Sequence, residues 1–281
     1  MKKLVSVLKI LGFLTLNAVG LYILEMVLNF FSGYFNNAYI FNIIYSLGTI
    51  LVLILNTKLF IRKDTLNFLK LYFKNIDLKR ITYLVLLAAC FNIIVTLILI
   101  FLRKYTVYNF IWDKLYIEDI LGVIFTGFII SLSYSIIEEV ILRGYLFNMI
   151  PLKEEINIVL IALLYTTFNA LSRGFNFVFM INTFLFALFL NIIYYKYKNL
   201  IYTLSFTFVW FYISNYIFSL SLDPESLDIY SVVNLMYGSF DIIGGGDYGI
   251  FGSIVFSIFL LLINLYELKS LNVFHRWTLQ K

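Results

Sequence analysis

Ser135-Ile-Ile-Glu138-Glu139-Val-Ile-Leu-Arg143-Gly-Tyr-Leu-Phe147 decides how this chain is read. Two adjacent acids and an arginine interrupt an apolar run that extends over roughly residues 120–150. The run exceeds the ~20 residues that a helix needs to cross a bilayer, and the charges fall inside it. An ionised group at the bilayer centre costs about 2.5–3.5 kcal/mol on insertion scales, so such residues face a bundle interior and mark function as a rule. On a helix Glu139 and Arg143 stand at i and i+4, so they share a face and can pair. Glu138 is offset by about 100°. That geometry predicts one carboxylate locked by arginine and a second, unpaired, pointing into a neighbouring cavity. A carboxylate without a counter-charge in such a cavity suits a general base acting on water. The plainer reading is an ion-paired helix end at the membrane interface, with Arg143 opening the next loop.

Composition points the same way as the motif. The 281 residues are 62% hydrophobic and 13% charged, with a mean hydropathy of +0.93. A soluble domain is nearer 45–50% apolar and about 25% charged, and a core of this size could not hide the excess from water. The expected fold is therefore an all-α polytopic membrane helix bundle with the lipid bilayer as its first partner. Eight apolar runs are candidate transmembrane helices, at roughly 8–31, 38–60, 81–102, 120–150, 156–171, 177–195, 200–221 and 249–266. The first is too long for the apolar core of a signal peptide and reads as an uncleaved anchor.

Positive charge sets the expected orientation. With the N-terminus inside, only Arg103, Lys104, Lys114 and Arg173 of the 21 lysines and arginines fall outside. This bias predicts a multi-pass cell-membrane protein with both termini cytoplasmic. It also accounts for the net charge of +5 without nucleic acid as a partner. Between the second and third runs, Leu66, Leu69, Phe73 and Ile76 recur at helical spacing among basic residues, which fits either an interfacial helix or a plain basic loop. The loop 222–248 holds Asp223, Glu225, Asp228, Asp241 and Asp247 and carries Gly244-Gly245-Gly246. Glu25 is a lone acid in the first run. Cys90, in an uncharged run, reads as a packed core residue, and Tyr194–Lys198 as an interfacial anchor. One cysteine and one histidine, His275, exclude a disulfide scaffold and a Cys/His zinc cluster.

At Glu138–Phe147 the chain resembles the CPBP intramembrane endopeptidases, which include CAAX prenyl proteases and bacteriocin-processing or immunity proteins. The family's first motif, Glu-Glu-x-x-x-Arg followed by Gly-Tyr/Phe-Leu-Phe, is matched throughout by EEVILRGYLF. Its second motif, Phe-x-x-x-His, has Tyr165-Thr-Thr-Phe-Asn169 as counterpart, with asparagine in place of histidine. Its third, His-x-x-x-Asn, aligns with Thr207 and Phe211 when counted from Leu200, or with Phe211 and Asn215 after a shift of one turn. Residues 244–253 resemble the glycine-rich lead-in to the family's final helix.

The resemblance implies peptide-bond hydrolysis on a membrane-associated peptide or protein substrate. Glu138 would activate water, Glu139 and Arg143 would hold the helix, and Asn169 and Thr207 would stand where the family has its histidines. It also implies three parts: N-terminal helices and a basic loop over 1–110, a protease-like core over 111–270, and a cytoplasmic tail over 271–281. Neither Asn169 nor Thr207 accepts a proton as imidazole does, and the sequence does not support a histidine-ligated zinc site, leaving the cofactor unknown. A catalytically inactive binding or immunity-type protein on the same scaffold is the alternative.

Overall fold

The computed structural model describes residues 2–31, 38–61, 64–73, 76–220, 231–237 and 241–278. It is 81% helical, and eight helices are long and apolar enough to cross a membrane. The chain is an all-α, multi-pass membrane protein. Helices α1 (Lys2–Phe31) and α2 (Ala38–Phe60) pack as a pair, and a single turn, α3 (Thr65–Phe68), leads to α4 (Leu78–Phe101). After strand β1 (Tyr105–Phe110), α5 (Ile117–Glu139) runs through a π-helical segment (Val140–Leu146) into the short α6 (Phe147–Met149). Next come α7 (Glu154–Arg173), α8 (Phe177–Tyr197) and α9 (Leu200–Tyr212). Helix α9 also passes into a π-helical segment (Ile213–Ile217). Strand β2 (Val233–Tyr237) and a 3-10 segment (Gly246–Gly252) precede α10 (Ile254–Thr278).

These helices form because lipid offers no partner to a free backbone N–H or C=O, so each spanning segment must satisfy its own. Position in the bundle follows from what else each helix carries. In α8, 67% of the apolar window is buried, against 11% in α1, so α8 is the hub and α1 a lipid-facing wall. Helix α8 packs on α7 and α10, α9 on α4 and α5, and α2 on α5. Asparagines join the layers where apolar packing alone gives little specificity in lipid. Asn182 donates to the carbonyls of Phe251 and Ser253, Asn264 to that of Leu185, and Asn92 to the Ser214 hydroxyl at 2.6 Å.

Several expectations are corrected. The two loops at the end of the bundle away from the termini are not merely irregular: β1 and β2 pair antiparallel with Tyr105 opposite Tyr237. Lys104 and Asp241 form an ion pair beside them. The basic connection does not become an amphipathic helix, since α3 spans four residues and Lys70 takes a left-handed conformation; Arg62, Lys63 and Lys74 lie outside the described residues. Leu69 is buried instead, and Asn199 clasps the backbone of Tyr72 by accepting from its N–H and donating to its carbonyl. Cys90 is exposed on α4 and not packed in the core. Tyr194 is fully buried, with its hydroxyl accepting from Asn148 at 2.7 Å, so only the end of that stretch is an anchor. Helix α10 continues to Thr278, so its backbone includes position 275. Asp223, Glu225 and Asp228 lie outside the described residues.

Candidate functional site

The signature residues lie where α5 changes its winding. A π-helical turn bonds i to i+5 and is often found at functional sites. Asn148 caps carbonyls in its second half: its amide donates to the carbonyls of Gly144 at 2.8 Å and Arg143 at 3.3 Å. The altered winding changes which acids Arg143 meets. Its Nη1 lies 3.0 Å from Glu139 Oε1 and 3.5 Å from Glu138 Oε1. Glu138 is therefore not the unpaired carboxylate that straight α-helical spacing predicts, because a wider turn brings the i+5 side chain into range.

All three charges are withdrawn from solvent. The Arg143 and Glu139 side chains are fully buried and that of Glu138 is 8% exposed. Arg143 also donates through Nε to Asn191 Oδ1 at 3.0 Å and through Nη2 to the Ala187 carbonyl at 3.5 Å. Asn191 in turn donates to the Ile158 carbonyl at 2.8 Å. One guanidinium thus fastens the end of α5 to α8, and through Asn191 to α7. Thr203 and Thr207 stand against Glu139, their hydroxyls donating to backbone carbonyls of α9. The two carboxylates differ in how well they are served: Glu139 Oε1 accepts from Arg143, whereas both Glu138 oxygens are buried without a hydrogen bond.

Beside these charges lies a cavity of about 120 Å³. Tyr134, Tyr165, Asn169, Arg173, Phe211 and Asn215 are among the residues on its wall. Tyr165 stands against Glu138, and its ring lies 5.9 Å from the Arg143 guanidinium carbon. Glu138 is not itself on the wall, and Tyr134, which is, also stands against it. Asn169 is on the wall, with its amide donating to the Tyr165 carbonyl at 2.9 Å. Thr207 is fully buried off the wall, on the Glu139 side. From α9 and its π-helical extension the wall takes Trp210, Phe211, Ser214 and Asn215, which matches the register shifted by one turn. That π-helical segment also has a polar cause: Ser214 donates to the Trp210 carbonyl at 2.7 Å, and Asn92 shares the same acceptor.

Sequence reasoning passed over Tyr134, Asn191 and Thr203, named Tyr165 only as the head of the second-motif counterpart, and counted Arg173 only as an outside cation. For two of these a signal existed, since Tyr165 and Arg173 flank Asn169 at i−4 and i+4 and so share its face. Asn191 stood out only as an amide in an apolar run.

Among the described residues no three His, Cys, Asp or Glu side chains gather as a metal site. The donor set at the cavity does not suit zinc either: the two carboxylates already flank an arginine cation, and the other polar groups are amides, hydroxyls and phenols in place of imidazole or thiolate.

Comparison with curated proteins and with solved structures gives no match. Residues 120–213 match the family model described as type II CAAX prenyl endopeptidase Rce1-like. The matched segment holds Glu138, Glu139, Arg143, Asn169 and Thr207, and it begins before the cavity-lining stretch of α5. Over that segment the chain is similar to the type II CAAX prenyl endopeptidases of the Rce1-like family, consistent with the CPBP resemblance read from its motif.

Proposed function

We propose that this membrane protein receives a membrane-associated peptide in the cavity beside Glu138 and hydrolyses it slowly. The observation that carries the reading is the Glu138 carboxylate, buried with neither oxygen hydrogen-bonded and set against Tyr134 and Tyr165, two side chains of the cavity wall. In this reading the Tyr165 ring turns aside to admit water, and Glu138 takes a proton as that water attacks the peptide carbonyl. The same carboxyl then returns the proton to the departing amine, so proton and charge balance. Asn215, with no side-chain hydrogen bond among the described residues, donates to the developing oxyanion, and Asn169 orients the peptide or the water. Arg143 and Glu139 hold the helix, and Thr207 helps to position Glu139. The termini face the cytoplasm, the core spans residues 111–270, and the N-terminal helices shield its flank from lipid.

Turnover on this site is weak for two reasons. An imidazole partner contributes typically 10²–10⁴-fold, and positions 169, 207 and 211 are Asn, Thr and Phe. The base is also not itself on the cavity wall, where Tyr134 and Tyr165 stand against it. The missing imidazoles favour a second reading, in which the peptide is held without being cut, as in an immunity-type protein. Purified protein in lipid nanodiscs, incubated with a library of membrane-associated peptides and read by mass spectrometry, separates the two. Slow cleavage that rises on Asn169→His supports the hydrolytic reading; retained binding with no products in either protein supports the second; neither binding nor cleavage would contradict both.

A further inference from the structure

We propose that Arg173 forms the anion-binding end of the cavity and takes a carboxylate of the bound peptide, an assignment that rests on the peptide-receiving function above. Tyr165, Asn169 and Arg173 follow one another at i, i+4 and i+8 on one face of α7, and all three line the cavity. Arg173 sits at the far end of that row, two helical turns from the ring that stands against Glu138. Its Nη1 is buried and has no hydrogen-bond partner, and among the described residues Arg173 has no ion pair. No residue on the cavity wall is acidic. Arg173 as a whole is half-buried, and its guanidinium meets no anion among the described residues.

The shape of the place selects the ligand. Arginine presents a planar fork that matches a carboxylate with two parallel hydrogen bonds. Asn215 and Tyr134 on the same wall add neutral polar groups around it. The cavity, about 120 Å³, is smaller than the ~300–1,000 Å³ that encloses a whole small molecule. It holds a carboxylate with a short side chain and is too small for a phospholipid headgroup with its glycerol. Arg173 lies on α7 two helical turns from Tyr165, the wall residue that stands against Glu138, so a carboxylate held by Arg173 lies away from the base.

Isothermal titration with N-acetyl-Leu-Leu-Ala, as free acid and as C-terminal amide, tests this on the full chain in phosphatidylcholine nanodiscs. The wild type binds the acid about tenfold or more tightly than the amide, the scale of a lost charged hydrogen bond. Arg173→Gln removes that preference, and an unfolding midpoint equal to that of the wild type verifies its fold. Arg173→Lys keeps part of the preference, having the charge without the fork. Equal binding of acid and amide by the wild type, or an acid preference that survives Arg173→Gln, overturns the assignment and leaves the peptide reading standing. Binding of neither form overturns both. If phosphatidylglycerol in the nanodisc abolishes the acid preference, a lipid phosphate occupies Arg173 and the peptide carboxylate is the wrong ligand.

Discussion

Arg143 is the residue on which the interior depends. It meets two carboxylates, an asparagine and a backbone carbonyl while excluded from solvent. Removing one partner of a buried ion pair strands the other, at a cost of about 3–5 kcal/mol. Arg143→Ala is therefore expected to lower the unfolding midpoint sharply or to abolish folded protein, read by a thermal shift in detergent. Glu138→Gln should leave the midpoint near that of the wild type, because Arg143 keeps the closer Glu139 carboxylate, at 3.0 Å against 3.5 Å, as its counter-charge. A comparable loss in both variants would contradict this division of labour. Part of it was legible in the sequence: spacing of i and i+4 paired Glu139 with Arg143 correctly. The approach of Glu138 was not legible, since it depends on a π-helical turn that no local pattern announces.

Two elements hold the site by satisfying backbone groups. Asn148 donates to two carbonyls of the first π-helical turn, so Asn148→Ala should cost about 1–3 kcal/mol, the scale of a lost buried hydrogen bond. Urea unfolding in mild detergent would measure it, and an unchanged midpoint would remove Asn148 from this role. The second element is the turn before α10, which places Ile250 and Phe251 on the cavity wall. Gly245 has φ +93°, and a Cβ there would lie 1.9 Å from the Gly249 carbonyl oxygen; one at Gly252 would lie 2.1 Å from that of Gly245. Backbone occupies both places and cannot step aside. Gly245→Ala should destabilise by at least the ~1–3 kcal/mol of a strained backbone, and a neutral effect in the same assay would mean the turn is looser than described. Sequence reading found this glycine cluster and all eight long helices, because turn chemistry and hydropathy are local properties. It missed β1 and β2, whose pairing joins Asn109 to Asn234 across 125 residues of sequence.

At the scale of the whole molecule, the eight helices leave the termini at one end of the bundle and the β1–β2 pair at the other. The proposed orientation makes the first end cytoplasmic. With Cys90→Ala as background, single cysteines at Lys114 and Lys153 should react with a membrane-impermeant maleimide from opposite sides of intact cells, Lys114→Cys from outside and Lys153→Cys only after lysis. The native Cys90, exposed within a membrane-spanning helix, should resist the reagent on either side. Reaction of both engineered cysteines from outside would overturn the orientation. Apolar run lengths revealed the bundle, but not the cavity, which exists because α5, α7 and α9 converge. Convergence of that kind is a property of packing, and the motif spacing left two registers open on α9.

Hydrolysis by Glu138 is the central claim, and single-turnover cleavage in nanodiscs tests it most directly, with enzyme in excess over a membrane-associated peptide that the wild type binds. The account predicts slow product formation by the wild type and loss of that product in a folded Glu138→Gln variant. Equal rates in the two proteins, or no product from the wild type while the peptide is bound, would contradict it.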